Sequence, residues 1–122
     1  MKKVLLLSLF LMINVVFSQN KKENQLLYNE LLAIDVLSKS KDKNIDFKLN
    51  QILLKLKKNE SDSLKGFYFM IRANTFSDQL KKEEAIIAVK NAYSYYKNAE
   101  NELGMSKSLM NLGNLYLYKG DF

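Results

Sequence analysis

The side chains able to do chemistry in this chain are few in kind. The 122 residues include no Cys and no His, which removes thiolate nucleophiles, thiolate metal sites, and the commonest general base and transition-metal ligand. Carboxylates, Lys, Tyr and Ser remain. Glu83 and Glu84 are the obvious acid pair, but neighbours in sequence diverge by about 100° on a helix, a poor arrangement for a shared proton. No glycine-rich phosphate loop and no metal-ligand spacing occurs, so neither a metal nor a cofactor is expected and the chain reads as a non-enzyme. Tyr93, Tyr95, Tyr96, Tyr116 and Tyr118 are dense enough to stack on bases, yet packing between helices accounts for them better. Asn59-Glu60-Ser61 fits the N-glycosylation pattern, a short and weak one.

Binding is the remaining class of function, and it depends on the elements that would present these residues. With four Gly and no Pro, the chain has few breakers, so long helices with short connections are expected. Apolar residues recur at helical spacing along Leu27, Leu31 and Ile34, and again along Leu32 and Val36, predicting a helix from Gln25 to about Leu37. Ser38 to Asn44 reads as a charged loop. A second helix follows with Ile45, Leu49, Ile52, Leu53 and Leu56 on one face and Lys55, Lys57 and Lys58 on the other, a solvated face. Capping residues at Asn59 to Ser63 introduce a third helix, from about Leu64 to Phe76. A fourth is expected from about Lys82 to Asn101, with Gly104 as its stop. A fifth runs from about Ser106 to Tyr118, closed by Gly120.

Residues 1–18 have a different character. Lys2 and Lys3 precede an apolar run from Val4 to Phe17, interrupted only by Ser8 and Asn14. Val16-Phe17-Ser18 then places a small residue before polar Gln19. This is the three-part layout of a secretory signal, with cleavage expected near Ser18-Gln19 and export to the periplasm or the medium. The run is about 21 Å long as a helix, short of a hydrocarbon core of roughly 30 Å; an uncleaved anchor or a buried helix are the competing readings. The formal charge is +6, and the part from Gln19 onward keeps about +4 because Lys2 and Lys3 are the only charges before it. That mild excess suits a soluble Lys-rich surface, and export argues against nucleic acid as the partner.

The helices repeat. Leu109, Gly113 and Tyr116 in the fifth helix stand 40 residues after Phe69, Ala73 and Phe76 in the third. The same interval takes these back to Asn29, Ala33 and Val36, and relates Ala85, Val89 and Ala92 to Ile45, Leu49 and Ile52. A small residue at the middle position lets two helices approach, and large residues a turn away fill the space between them. One such hairpin cannot hide its apolar face alone, so hairpins are expected to stack. A helical bundle with coincidental spacing is the alternative.

Asn111 to Phe122, NLGNLYLYKGDF, resembles the first helix and turn of the tetratricopeptide repeat family through Leu112-Gly113, Tyr116 and Gly120-Asp121-Phe122. Ala85, Val89 and Ala92 are similar to its second-helix pattern. The spacing is that of an extended variant; Leu80 stands at the turn glycine, no proline closes a unit, and Asn29 occupies a place for a large apolar residue. The resemblance implies an all-α superhelix of antiparallel hairpins: a degenerate first hairpin over 19–60 and a repeat region over 61–122, comprising one full unit at 66–105 and the first helix of the next. It also implies that Phe69, Ala73, Phe76, Ala85, Val89, Ala92, Leu109, Gly113 and Tyr116 serve repeat packing. Met70, Asn74 and Asp78, with Met110, Asn114 and Tyr118 of the next unit, would line a groove for a peptide or protein segment. Asn offers a donor and an acceptor to a peptide backbone, and Met and Tyr supply adaptable apolar area.

Phe122 would then open a second helix, and the sequence is expected to be a fragment of a longer array, or else a chain completed by self-association. Two functions fit: an exported binding scaffold, or the extracytoplasmic sensor portion of a bacterial sensor kinase or membrane-anchored transcriptional regulator. In the latter, a membrane span would lie beyond Phe122, and the coding sequence downstream distinguishes the two.

Overall fold

A computed structural model describes residues 2–120, without the side chains of the last two of these. Asp121 and Phe122, on which the turn and second-helix expectations rest, lie outside the described residues. The protein is all-α. Five helices follow one another: α1 Lys2–Lys39, α2 Ile45–Leu56, α3 Asp62–Asp78, α4 Lys82–Asn98 and α5 Glu102–Gly120.

The helix starts and stops have local causes. Ser61 caps α3, its side chain accepting from the Leu64 N–H at 3.3 Å, and 40 residues on Asn101 does the same for the Gly104 N–H at 2.9 Å at the start of α5. Each cap satisfies a backbone donor that the first helical turn leaves without a partner. The ends of α3 and α4 are paired carbonyl–amide closures. Lys81 N–H reaches the Phe76 carbonyl at 2.8 Å and Leu80 N–H reaches Ser77; Asn101 N–H reaches Tyr96 at 2.9 Å and Glu100 N–H reaches Lys97. These closures place Leu80 at φ 61° and Glu100 at φ 54°, in the left-handed region, where a glycine is the usual occupant. Leu80 is 85% exposed, so no packing offsets its backbone cost of about 1–2 kcal/mol.

Two boundaries differ from the sequence reading. Helix α4 ends at Asn98 rather than Asn101, with this closure at Glu100 just beyond it, and Gly104 belongs to the first turn of α5 rather than ending the helix before it. Helix α1 does not begin at Gln25 but runs unbroken from Lys2, because nothing between Ser18 and Gln25 carries a helix-breaking Pro or Gly.

The core lies between the helices in two parts. Leu27, Leu31 and Ile34 of α1, Ile45, Leu49, Ile52 and Leu56 of α2, and Leu64, Tyr68 and Ile71 of α3 form the larger one. Ala73 of α3 with Ala88 and Val89 of α4 forms the smaller, flanked by Phe69, Phe76, Leu112 and Leu115. Helices α3 and α4 share the most extensive contact, and α5 packs mainly on α4. The small side chains at the α3–α4 contact, Ala73 against Ala88, permit close approach.

The interval of 40 residues relates α4 to α2 position by position: Ile45, Leu49, Ile52 and Leu56 are buried, and so are Ala85, Val89, Ala92 and Tyr96. It also relates α5 to α3, where Leu64 and Tyr68 correspond to buried Gly104 and Ser108. The first hairpin breaks it. The buried stripe of α1 is Leu27, Leu31, Ile34 and Ser38, which stands 37 residues before Leu64, Tyr68, Ile71 and Thr75. Asn29, Ala33 and Val36 are exposed. The physical reason is that α1 packs only against α2 and α3, so one stripe suffices, and the stripe of larger apolar residues is the one that goes in.

Candidate binding surface

The six candidate groove residues sit on α3 and α5. Met70 is half-buried and Asn74 and Asp78 are exposed, as are Met110, Asn114 and Tyr118. The structure ties the two helices together at this surface. Ser108, fully buried, donates its hydroxyl to the Gly104 carbonyl at 2.8 Å and stands 3.5 Å from the Met70 sulfur. Asn111 donates its side-chain amide to the Asn74 carbonyl oxygen at 3.4 Å. With its acceptor so engaged, the Asn74 NH2 group is left to donate, which suits the carbonyl of an extended peptide. Lys82 donates to the Tyr118 carbonyl at 3.1 Å, joining α4 to the far end of α5.

Asp78 lines a cleft of about 260 Å³ where the end of α1, the start of α2 and the end of α3 meet, with Lys41, Asp42 and Thr75 among its other walls. The backbone N–H of Asn44, and then the Lys48 ammonium at 3.2 Å, hold the Asp42 carboxyl below its usual range. That negative charge is already spoken for by Lys48. Met70, Asn74 and Asp78 lie a turn apart along one side of α3, and Met110 and Asn114 along the matching side of α5.

The nine repeat-packing positions divide. Ala73, Ala85, Val89 and Ala92 are buried, and Phe69 and Phe76 are half-buried beside them. Leu109, Gly113 and Tyr116 are exposed, and a methyl group at Gly113 would meet nothing within 4 Å. Of the tyrosines, Tyr96 is buried and Tyr95 stacks on Phe69 with ring centroids 5.5 Å apart, while Tyr116 and Tyr118 are exposed.

Other expected features find places as well. Asn59 is 8% exposed and donates to the Asn24 side chain at 2.7 Å, and its own oxygen accepts from the Ser61 N–H. A side chain held this way is closed to glycosylation without local unfolding. Lys55, Lys57 and Lys58 are all exposed, and Lys55 pairs with Glu30 of α1 at 3.0 Å. Among the described residues no group of three or more acidic side chains is close enough to hold a metal ion.

Two features were not anticipated from the sequence. Arg72 is held by Asp46 at 2.7 Å with its guanidinium 4.7 Å from the Phe76 ring. Tyr96 is gripped between the backbones of Gly66 on α3 and Gly104 on α5. Two glycines flanking a tyrosine-rich helix were the available signal, but only the folded register brings them to one ring.

The N-terminal half of α1 is the other candidate functional element. Val4 to Phe17 is exposed throughout, and the helix is long and apolar enough to cross a membrane. It is compatible with a signal sequence or a membrane anchor. Compared with protein-family models, curated proteins and solved structures, the chain has no match in any of the three.

Proposed function

We propose that residues 19–120 act as a tetratricopeptide-like scaffold that holds a peptide or protein segment without catalysis, outside the cytoplasm. The observation that carries this reading is the 40-residue recurrence, which joins α2 to α4 in buried stripe and α3 to α5 in N-terminal cap. A recurrent packing unit keeps one side of α3 and α5 in register. Met70, Asn74 and Asp78 on one and Met110 and Asn114 on the other then form a continuous row of apolar and amide side chains. Amides spaced in this way suit a peptide backbone, and the thioethers adapt to its side chains.

The test is a peptide array probed with the full chain and with the double variant Asn74→Ala/Asn114→Ala. Both residues are exposed, so the fold is expected to survive. Removing two direct hydrogen bonds is expected to weaken the retained peptides by about tenfold or more. Undiminished binding by the double variant removes these residues from the site.

Export rests on the exposed apolar stretch of α1. Because Val4 to Phe17 buries nothing in the fold, its removal leaves the core intact, as a cleaved leader requires. N-terminal sequencing of the protein recovered outside the cytoplasm is expected to begin at Gln19. Recovery in the membrane fraction with Lys2 still attached would show an anchor instead.

A further inference from the structure

Helices α2 and α4 both border α3, yet they do not approach each other. A strip of α3 therefore lies open between them, and it is aromatic. Two hollows of about 330 and 370 Å³ run along it and share Leu53, Tyr68 and Phe69. From Lys65 to Phe76 the strip is about 17 Å long, the span of about five extended residues.

The floor is fixed before anything binds. Phe69 stacks on Tyr95 with planes 9° apart and meets Tyr68 edge-on at 5.1 Å. Such a floor loses little side-chain freedom when an apolar group settles on it. The two ends of the strip differ in charge. At one end Arg72 is already engaged by Asp46, and Glu84, Asn50 and Asn91 stand along the rim. At the other, Lys57 of α2 and Lys65 of α3 border the hollow. Among the described residues neither of these lysines has a carboxylate within ion-pair distance. Lys65 has only the Tyr95 ring, 5.9 Å from its ammonium. The Phe69 floor is common to both hollows, and the Lys57–Lys65 end is the one with unneutralised positive charge.

We propose that this α2–α4 groove is a second docking site, on a different face from Met70, Asn74 and Asn114. Its occupant is an apolar peptide segment of another protein. The segment sets large side chains over Phe69 and Tyr95 and ends in a carboxylate between Lys57 and Lys65. The charge pair selects the direction of the segment, and the aromatic floor supplies the area.

The probe is a set of synthetic peptides of about five residues, each with two Leu or Phe side chains. Each is made with a free C-terminal carboxylate and as the C-terminal amide, and binding to the full chain is followed by fluorescence anisotropy. Carboxylate peptides are expected to bind about tenfold or more tightly than their amides. The double variant Lys57→Glu/Lys65→Glu is expected to erase that preference, and Asn74→Ala/Asn114→Ala to leave it unchanged. Both lysines carry their charge at the surface, so circular dichroism should show the variant folded. Three peptide-binding results overturn the proposal. These are absence of peptide binding, the same preference in the charge-reversed variant, or loss of binding in the Asn74/Asn114 variant, which would place the peptides on the other face. Dimerisation of the chain that is lost on charge reversal would also overturn it, by making a second copy the occupant. A failure here leaves the scaffold reading standing, because the two double variants alter separate faces.

Discussion

Replacing Gly104 by Ala is expected to destabilise the protein by on the order of 3 kcal/mol, at the upper end of what a single overpacked methyl group does. The Tyr96 ring is 6% exposed and lies between two helix backbones. A methyl group at Gly66 would stand 2.9 Å from its Cδ1 and Cε1 carbons, and one at Gly104 closer still. Such crowding is cheap only when the crowded atom can swing away. Here the atoms near the root of the ring are the ones struck, and retreat from Gly104 drives the ring into Gly66. In a domain of this size the loss lowers the melting temperature by roughly 10–20 °C. Urea denaturation of the variant gives the free energy directly. A double variant with Tyr96→Ala should recover part of the Gly104→Ala cost, since the clash then has no target; strict additivity would rule out the ring as its cause.

The same substitution has a different sign at Gly113, which faces open space. There Ala only improves helix propensity, stabilising by about 0.5–1 kcal/mol. If a further helix packs on α5 in a longer form of the protein, the change at Gly113 becomes unfavourable in that form alone. Gly66→Ala should fall between the two, because its contact is less severe and its propensity gain offsets part of it.

These three glycines show what the sequence could and could not reveal. Gly113 drew attention as a small residue at helical spacing, whereas Gly104 looked like a helix stop. The deciding fact at Gly104 is that Asn101, three residues earlier, caps a new helix, and that Glu100 accepts a left-handed backbone without being a glycine. An isolated glycine carries no mark that separates a stop from a close contact. The stripes of α2 and α4 were legible because each helix has one apolar side and one polar side. Helix α1 offered two apolar stripes, Leu27-Leu31-Ile34 and Leu32-Val36, and the helices packed on it choose between them. Extending the 40-residue interval to Ala33 therefore selected an exposed position.

The candidate surface was legible to a similar depth. Asn74 and Met70 could be placed on one side of a helix from spacing alone. Their partners could not: Asn111 and Ser108 come from the next hairpin, and which residues of α5 face α3 depends on the crossing of two helices. The open strip between α2 and α4 was invisible for the same reason. Phe69 and Phe76 look like ordinary core residues until it is known that α2 and α4 do not meet over them.

Stability is expected to fall between pH 10 and 12, and Tyr96 is expected to be the main cause. Burial, then the charge of Tyr28, pushes its hydroxyl up to about 12. Burial raises Tyr68 as well, with the Asp46 charge adding to this and Arg72 opposing it. In the unfolded chain both return to about 10. Below that pH both states hold the phenol proton and the contribution of the buried neutral ring is fully present. As pH rises past 10 the unfolded chain ionises first and gains free energy that the folded state cannot match, until Tyr96 in the folded protein also loses its proton near 12. Solvent screening at the hydroxyl keeps the loss across that window below the roughly 3 kcal/mol that a two-unit separation would give a fully enclosed group. Denaturant midpoints measured for the wild type and for Tyr96→Phe between neutral pH and pH 12 isolate this part, because the two proteins differ only in that hydroxyl. The variant, which keeps the ring between Gly66 and Gly104 but has nothing to ionise, should decline much less steeply. Parallel curves for the two proteins would mean that the packing of the Tyr96 ring against the two glycines does not hold its proton in the folded state.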